Sequence, residues 1–287
     1  MQLREAISDG KILLLDGAMG TELAKVGLQG KCDASHTHPG KIIGIHDAYV
    51  QAGSQAITTN TFQLNALTPS VERRNLDLVF LNKVAVELAR NVAGNDHYVL
   101  GGIGPTGRLL EPDGPMTDAS CRDAFLAQAK VLDEEGTDGL IIETMTSLRE
   151  ALLALSACRE ATDKPVIVSM AYKTLKGGGR TLMGDRAVES SQQLVEQGAD
   201  VVGTNCGEVL ISEMAQIIAA IRAVVTVPIV AQPNAGQPHG VESIYDMTPK
   251  EFAVELEKCR QAGATLLGGC CGAGPECIEK VKERVRR

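Results

Sequence analysis

The chain has 287 residues, of which 44% are hydrophobic, and its 28 Lys plus Arg against 36 Asp plus Glu give a net charge of −8. That balance argues against phosphate-backbone binding, so no nucleic-acid partner is expected, and the apolar content argues against disorder. No run approaches the roughly 18 consecutive apolar residues of a membrane span, and the opening "MQLREAISDGKILLLDG" lacks a basic segment leading into a long apolar one. A cytoplasmic enzyme with mostly reduced cysteines is therefore expected, with no membrane partner.

Trp is absent and aromatics are only 3%, so the core must be Leu, Ile, Val and Ala. Such side chains suit a parallel sheet covered by helices. Short apolar runs, each with about four core residues and rich in β-branched types, recur along the chain. In order they are 11–17 ("KILLLDG"), 55–62 ("QAITTNTF"), 98–105 ("YVLGGIGP"), 139–144 ("GLIIET"), 165–172 ("PVIVSMAY"), 200–206 ("DVVGTNC"), 228–234 ("PIVAQPN") and 265–271 ("TLLGGCC"). Helical periodicity fills 76–93, 120–135, 147–161, 187–197, 211–223, 249–262 and 275–286. Thr248, Pro249 and Glu251 form a helix-start signal, and Gly263 a stop.

Eight strand-then-helix units in one chain of this length predict an α/β fold, a (β/α)8 TIM barrel, as one domain over residues 1–287. The alternative, an open doubly wound sheet, would call for a Gly-x-Gly-x-x-Gly turn after the first strand, and "DGAMGTEL" has two glycines at another spacing.

Active sites of such barrels lie at the carboxyl ends of the strands. Those ends carry Asp16-Gly17, Asn60-Thr61, Gly104-Pro105, Glu143-Thr144, Asn205-Cys206, Asn234 and Cys270-Cys271. Cys206 and Cys270 are 64 positions apart (270 − 206), yet only one strand separates their strands in a barrel. Three converging thiolates make a zinc site with one open position, so Cys206, Cys270 and Cys271 are the expected metal ligands. Gly268, Gly269 and Gly272 let the backbone turn enough for adjacent cysteines to share one ion. Such a centre takes a substrate thiol as fourth ligand and holds it deprotonated, a device for alkylating sulfur.

Asp16 and Glu143 on the same rim suit a substrate ammonium group, although lone acids are usually caps or surface charges. "DGAMGTEL" offers backbone N–H groups at a helix start to a carboxylate. Asn60, Asn234 and Gly17 complete the substrate-binding candidates. Cys32, Cys121, Cys158, Cys259 and Cys277 read as packing, and no Cys-x-x-Cys points to a redox pair. "KGGGR" (176–180) lacks phosphate-loop spacing and reads as a mobile loop; "SHTHPG" (35–40) reads as a surface loop, and "EKVKERVRR" as an ordinary last helix.

Taken together, "LLLDGAMGTEL", "TTNTF", "GPTG", "IIET", "GTNC" and "GGCCG" resemble the homocysteine S-methyltransferase family over roughly residues 10 to 285. The resemblance implies a zinc barrel in which Cys206, Cys270 and Cys271 are the ligands. Asp16 and Glu143 would hold the homocysteine amino group, and the backbone near Gly17 its carboxylate. Homocysteine sulfur then takes an activated methyl group and becomes methionine. "GGIGPTGRLLEP" and "AQPNAGQP" are most similar to the homocysteine-binding barrel of cobalamin-dependent methionine synthase. That implies methylcobalamin, carried by a separate corrinoid protein, as donor. The family also includes S-methylmethionine and betaine users. An aromatic cage for betaine finds little support in a chain with no Trp, 4 Tyr and 4 Phe. Other readings stay open: a different acceptor thiol, a non-catalytic zinc or corrinoid partner subunit, and a metal-free barrel.

Overall fold

The computed structural model describes residues 2–72, 74–238 and 245–285. Each apolar run forms a strand: β1 (Leu13–Leu14), β2 (Ala56–Thr58), β3 (Tyr98–Ile103), β4 (Gly139–Met145), β5 (Val166–Met170), β6 (Val201–Asn205), β7 (Ile229–Gln232) and β8 (Leu266–Leu267). All pairings between them are parallel and follow chain order. A parallel bridge from Leu15 to Ala56, with the Gln55 N–H donating to the Leu14 carbonyl at 2.7 Å, brings β1 back to β2. The result is the expected (β/α)8 barrel.

Successive strand residues face opposite sides, and the core divides accordingly. Leu13, Leu15, Ile141, Ile167, Val201, Val230 and Leu266 fill the interior, while Leu14, Leu140, Ile142, Val168 and Val202 face the helices. Leu3 and Ile7, on the helix Leu3–Ser8, plug the amino-terminal end. There Gly139 lies so close to Leu3 that a Cβ would sit 2.8 Å from its side chain.

The expected helices appear as Leu78–Ala93, Asp118–Glu134, Leu148–Ala161, Ala187–Glu196, Ile211–Arg222, Pro249–Gln261 and Pro275–Val285, with Arg286 outside the described residues. No described helix is long and apolar enough to cross a membrane. One expectation is corrected. "SHTHPG" is helical: Ala34–Thr37 runs into Pro39–Ala52, and His36 stands edge-on to Phe80 at 5.0 Å. "KGGGR" lies in the turn after β5, between the short paired segments Tyr172–Thr174 and Arg180–Thr181, and its glycines take positive φ.

Candidate active site

The sulfur cluster follows from where three strands end. β8 stops at Leu267 because Gly268 and Gly269 bring the chain hard against β1. A Cβ on Gly268 would lie 2.7 Å from the Asp16 carbonyl, to which Gly269 donates its N–H at 3.0 Å. The chain then passes over the end of β7: the Cys270 N–H donates to the Pro233 carbonyl at 2.8 Å, and the Cys271 carbonyl accepts from Ala235 at 2.9 Å. Gly272, at φ +80°, completes the turn. Opposite it, Cys206 directly follows β6 at φ +53°, its N–H bonded to the Gln232 carbonyl at 3.1 Å. A left-handed non-glycine residue costs about 1–3 kcal/mol and persists only where its surroundings hold it.

These turns bring the Sγ atoms of Cys206, Cys270 and Cys271 within 4.8 Å of one another, all as free thiols. Zinc–sulfur bonds of about 2.3 Å in a tetrahedron need sulfurs roughly 3.8 Å apart, so the donor set fits one such ion. Within the cluster the Cys271 thiol is pulled down to about 3 by hydrogen bonds from Cys206 and Cys270, against burial and helped by Tyr245. Cys270 is pushed well above the usual thiol range by its bonds to Cys206 and Cys271. The three thiols thus share their protons unequally, and a soft divalent cation would displace those protons on binding.

The carboxylates stand on the same cavity, of about 320 Å³, together with the three cysteines, Gly17 and Asn60. Asp16, at 3% exposure, lies just beyond β1 and accepts from Thr58 N–H at 2.7 Å and Thr58 Oγ1 at 3.1 Å. Burial still pushes it up to about 7. Glu143 rises to about 8 through burial and then the negative charges of Asp16 and Cys271. Its carboxylate has no partner among the described residues. The register between β4 and β5 slips between Ile142 and Met145, a one-residue bulge containing Glu143 and Thr144. Such a bulge re-aims a side chain at a sheet's end. Thr144 within it sits at φ +62°, a rare conformation for a β-branched residue.

Gly17 packs against the β8 turn, where a Cβ would lie 2.1 Å from the Ala273 carbonyl. Tyr49 Oη bonds that same carbonyl at 3.0 Å and so clamps the two loops together. Asn60 reaches Ser35 Oγ at 3.3 Å from the cavity wall. Asn234 is placed differently from the others: it does not line this cavity, and its Nδ2 donates to the Gly207 carbonyl at 3.1 Å, supporting the turn after Cys206.

Sequence reasoning gave no role to three neighbours. Asn205 donates to Cys270 Sγ at 3.8 Å. Tyr245 bonds Cys271. Gln232 lines the cavity, and its buried Oε1 has no partner among the described residues. Nothing in "GTNC" or "AQPN" distinguishes an amide that supports the site from an ordinary strand residue.

In their electrostatics the sulfur cluster and the carboxylate pair both lack a positive partner among the described residues. The geometry accommodates a thiophilic cation at one end and an ammonium group at the other. The sequence profile described as homocysteine S-methyltransferase matches residues 13–285. The methionine synthase of Mycobacterium tuberculosis is 30% identical over 301 aligned residues, covering 96% of this chain and 25% of that protein. That of Mycobacterium leprae is likewise 30% identical, covering 96% and 24%. The chain thus spans about a quarter of the length of these curated relatives. The homocysteine methyltransferase MmuM from Escherichia coli, in its metallated form, shares the fold with a TM-score of 0.81 at 24% identity, over 98% of this chain and 99% of that one. With its profile match running from β1 to the last helix, the chain belongs to the homocysteine S-methyltransferase family.

Proposed function

We propose that the protein transfers a methyl group to the thiol of homocysteine to give methionine, with methylcobalamin on a separate corrinoid protein as donor. The observation that carries the reading is that three convergent sulfurs share one cavity with the Glu143 carboxylate, which has no partner among the described residues. Cys206, Cys270 and Cys271 would hold a zinc ion, and that ion would supply the Lewis acidity that lowers the pKa of a substrate thiol toward neutral pH. Glu143 accepts the substrate ammonium, which gives its carboxylate a positive partner that it lacks among the described residues. Asp16, fixed by its two bonds from Thr58, adds a second acceptor beside it. The backbone around Gly17 receives the carboxylate, and Asn60 closes that side.

In the transfer, the substrate sulfur forms the new S–C bond. The methyl group leaves its donor, which keeps the bonding pair, and the thiol proton goes to solvent on binding. Phe62 is the one aromatic among the described residues lining the cavity. That favours a donor that does not need an aromatic cage for a quaternary ammonium.

The test is to measure zinc per chain and then methionine formed from homocysteine with methylcobalamin, a methylated corrinoid protein, S-methylmethionine or betaine. The expected result is about one zinc and methionine with the first two donors. No methionine from any donor overturns the reading. Glu143→Gln should weaken homocysteine binding by roughly tenfold or more while zinc stays bound; loss of zinc instead overturns its role.

A further inference from the structure

Asn205, the last residue of β6, is fully buried, and its carboxamide is used to capacity. Oδ1 accepts from the Thr144 N–H at 2.8 Å and from Ser169 Oγ at 2.7 Å. Nδ2 donates to Thr144 Oγ1 at 2.7 Å and to Cys270 Sγ at 3.8 Å. An amide side chain offers two donors and two acceptor lone pairs, and all four find partners. Those partners come from three other strands: Thr144 from the β4 bulge, Ser169 from the place on β5 opposite it, and Cys270 from the turn after β8.

The bulge is the element that Asn205 grips most tightly. Thr144 holds a left-handed conformation that a β-branched residue leaves unless it is restrained, and Asn205 binds both its N–H and its hydroxyl. Glu143 precedes Thr144 directly, so the same two bonds set where its carboxylate points. The third contact is to a sulfur of the cluster. One side chain therefore ties the carboxylate end of the cavity to the sulfur end.

We propose that Asn205 is the positioning residue that fixes the spacing between the ammonium-binding carboxylate and the sulfur cluster, and thereby selects homocysteine over cysteine, its homologue with one methylene fewer. The proposal rests on the reading of the site given above. An amino thiol must satisfy both ends at once, and a rigid span admits one chain length. Loosening the bulge lets Glu143 follow a shorter substrate, so selectivity falls even while the metal site survives.

The experiment uses protein loaded with cobalt(II), and thiol binding is read from the sulfur-to-cobalt absorption. L-homocysteine, L-cysteine and 4-mercaptobutyrate, which lacks the amino group, are titrated into the parent, Asn205→Ala and Thr144→Gly. In the parent, homocysteine should bind more tightly than cysteine by a factor in the range of roughly 10 to 200 that one methylene provides. In Asn205→Ala that ratio should fall toward one, with metal content and 4-mercaptobutyrate affinity retained. Thr144→Gly keeps the backbone conformation accessible and removes the hydroxyl contact, and should lower the ratio by a smaller factor; it serves as the test if Asn205→Ala does not fold. An unchanged ratio in the folded variants overturns the proposal, as does an equal loss of affinity for all three thiols, which would mean general damage to the metal site. A parent that binds no homocysteine overturns the earlier reading instead.

Discussion

At the amino-terminal end of the barrel, aliphatic side chains such as Leu13, Ile141, Val201 and Leu266 meet under the plug formed by Leu3 and Ile7. At the other end, a few residues further along the same strands, stand Asp16, Glu143, Cys206 and Cys270. The floor follows the local rules: mostly β-branched and Leu residues, on alternating faces. The rim breaks several at once. It holds left-handed Thr144 and Cys206, acids that burial pushes up to about 7 and 8, and a Gln232 amide oxygen with no partner among the described residues. A uniform sheet does not generate such features by itself; they persist because the floor beneath them is regular and supplies the stability they cost.

If the two ends are separable, a change at one should leave the other's measurement intact. The largest effect is expected from Cys206→Ala. One lost ligand of a zinc thiolate site costs roughly 3–4 kcal/mol, or between two and three powers of ten in metal affinity. Equilibrium dialysis should read that loss, while the metal-free variant unfolds in urea within about 1 kcal/mol of the metal-free parent. Stoichiometric zinc in the variant would remove Cys206 from the ligand set. The converse change is Ile141→Ala in the floor, where burying a smaller side chain leaves a cavity and should destabilise by about 2–5 kcal/mol. One zinc per chain and an unaltered homocysteine affinity should survive it. A fall in affinity matching the fall in stability would mean that floor and rim are one cooperative unit.

This division also decides what the sequence makes legible. Strands buried on both faces write short continuous apolar runs, and each of the eight was visible, from "KILLLDG" to "TLLGGCC". The cysteines and acids stood out because they interrupt those runs at the same relative place. The helix Pro39–Ala52 did not stand out, because Gly40 and Gly44 dilute its periodicity and its inward face includes His46 beside Ile42 and Tyr49. The β4 bulge is invisible in "IIETMT", since one extra residue in a strand changes register without changing composition. Asn205 and Tyr245 matter through contacts made by chain segments far apart in sequence, which no local pattern encodes.

The smallest predicted effect lies outside both ends, at His46. Its ring is fully buried among the outer helices, away from the cavity, and neither nitrogen has a partner among the described residues. Burial lowers its pKa from 6.5 to about 4, the same physical cause that raises Asp16 and Glu143, acting on a base. Here the consequence falls on stability. Between pH 6.5 and about 4 the unfolded chain binds a proton at this ring that the native chain does not. Stability contributed by the neutral ring is therefore complete above the unfolded pKa and drains away as pH falls through that window. From pH 7 to pH 5 the loss should be about 2 kcal/mol. Urea unfolding of chelator-treated protein at the two pH values, for the parent and for His46→Phe, isolates it: both lose whatever the thiols and acids contribute, and only the parent should lose the additional amount. Parallel losses in the two proteins would mean that the native ring takes up its proton as readily as the unfolded one. Burial would then fail to govern titration in the helical layer, although at the rim it pushes Asp16 and Glu143 upward.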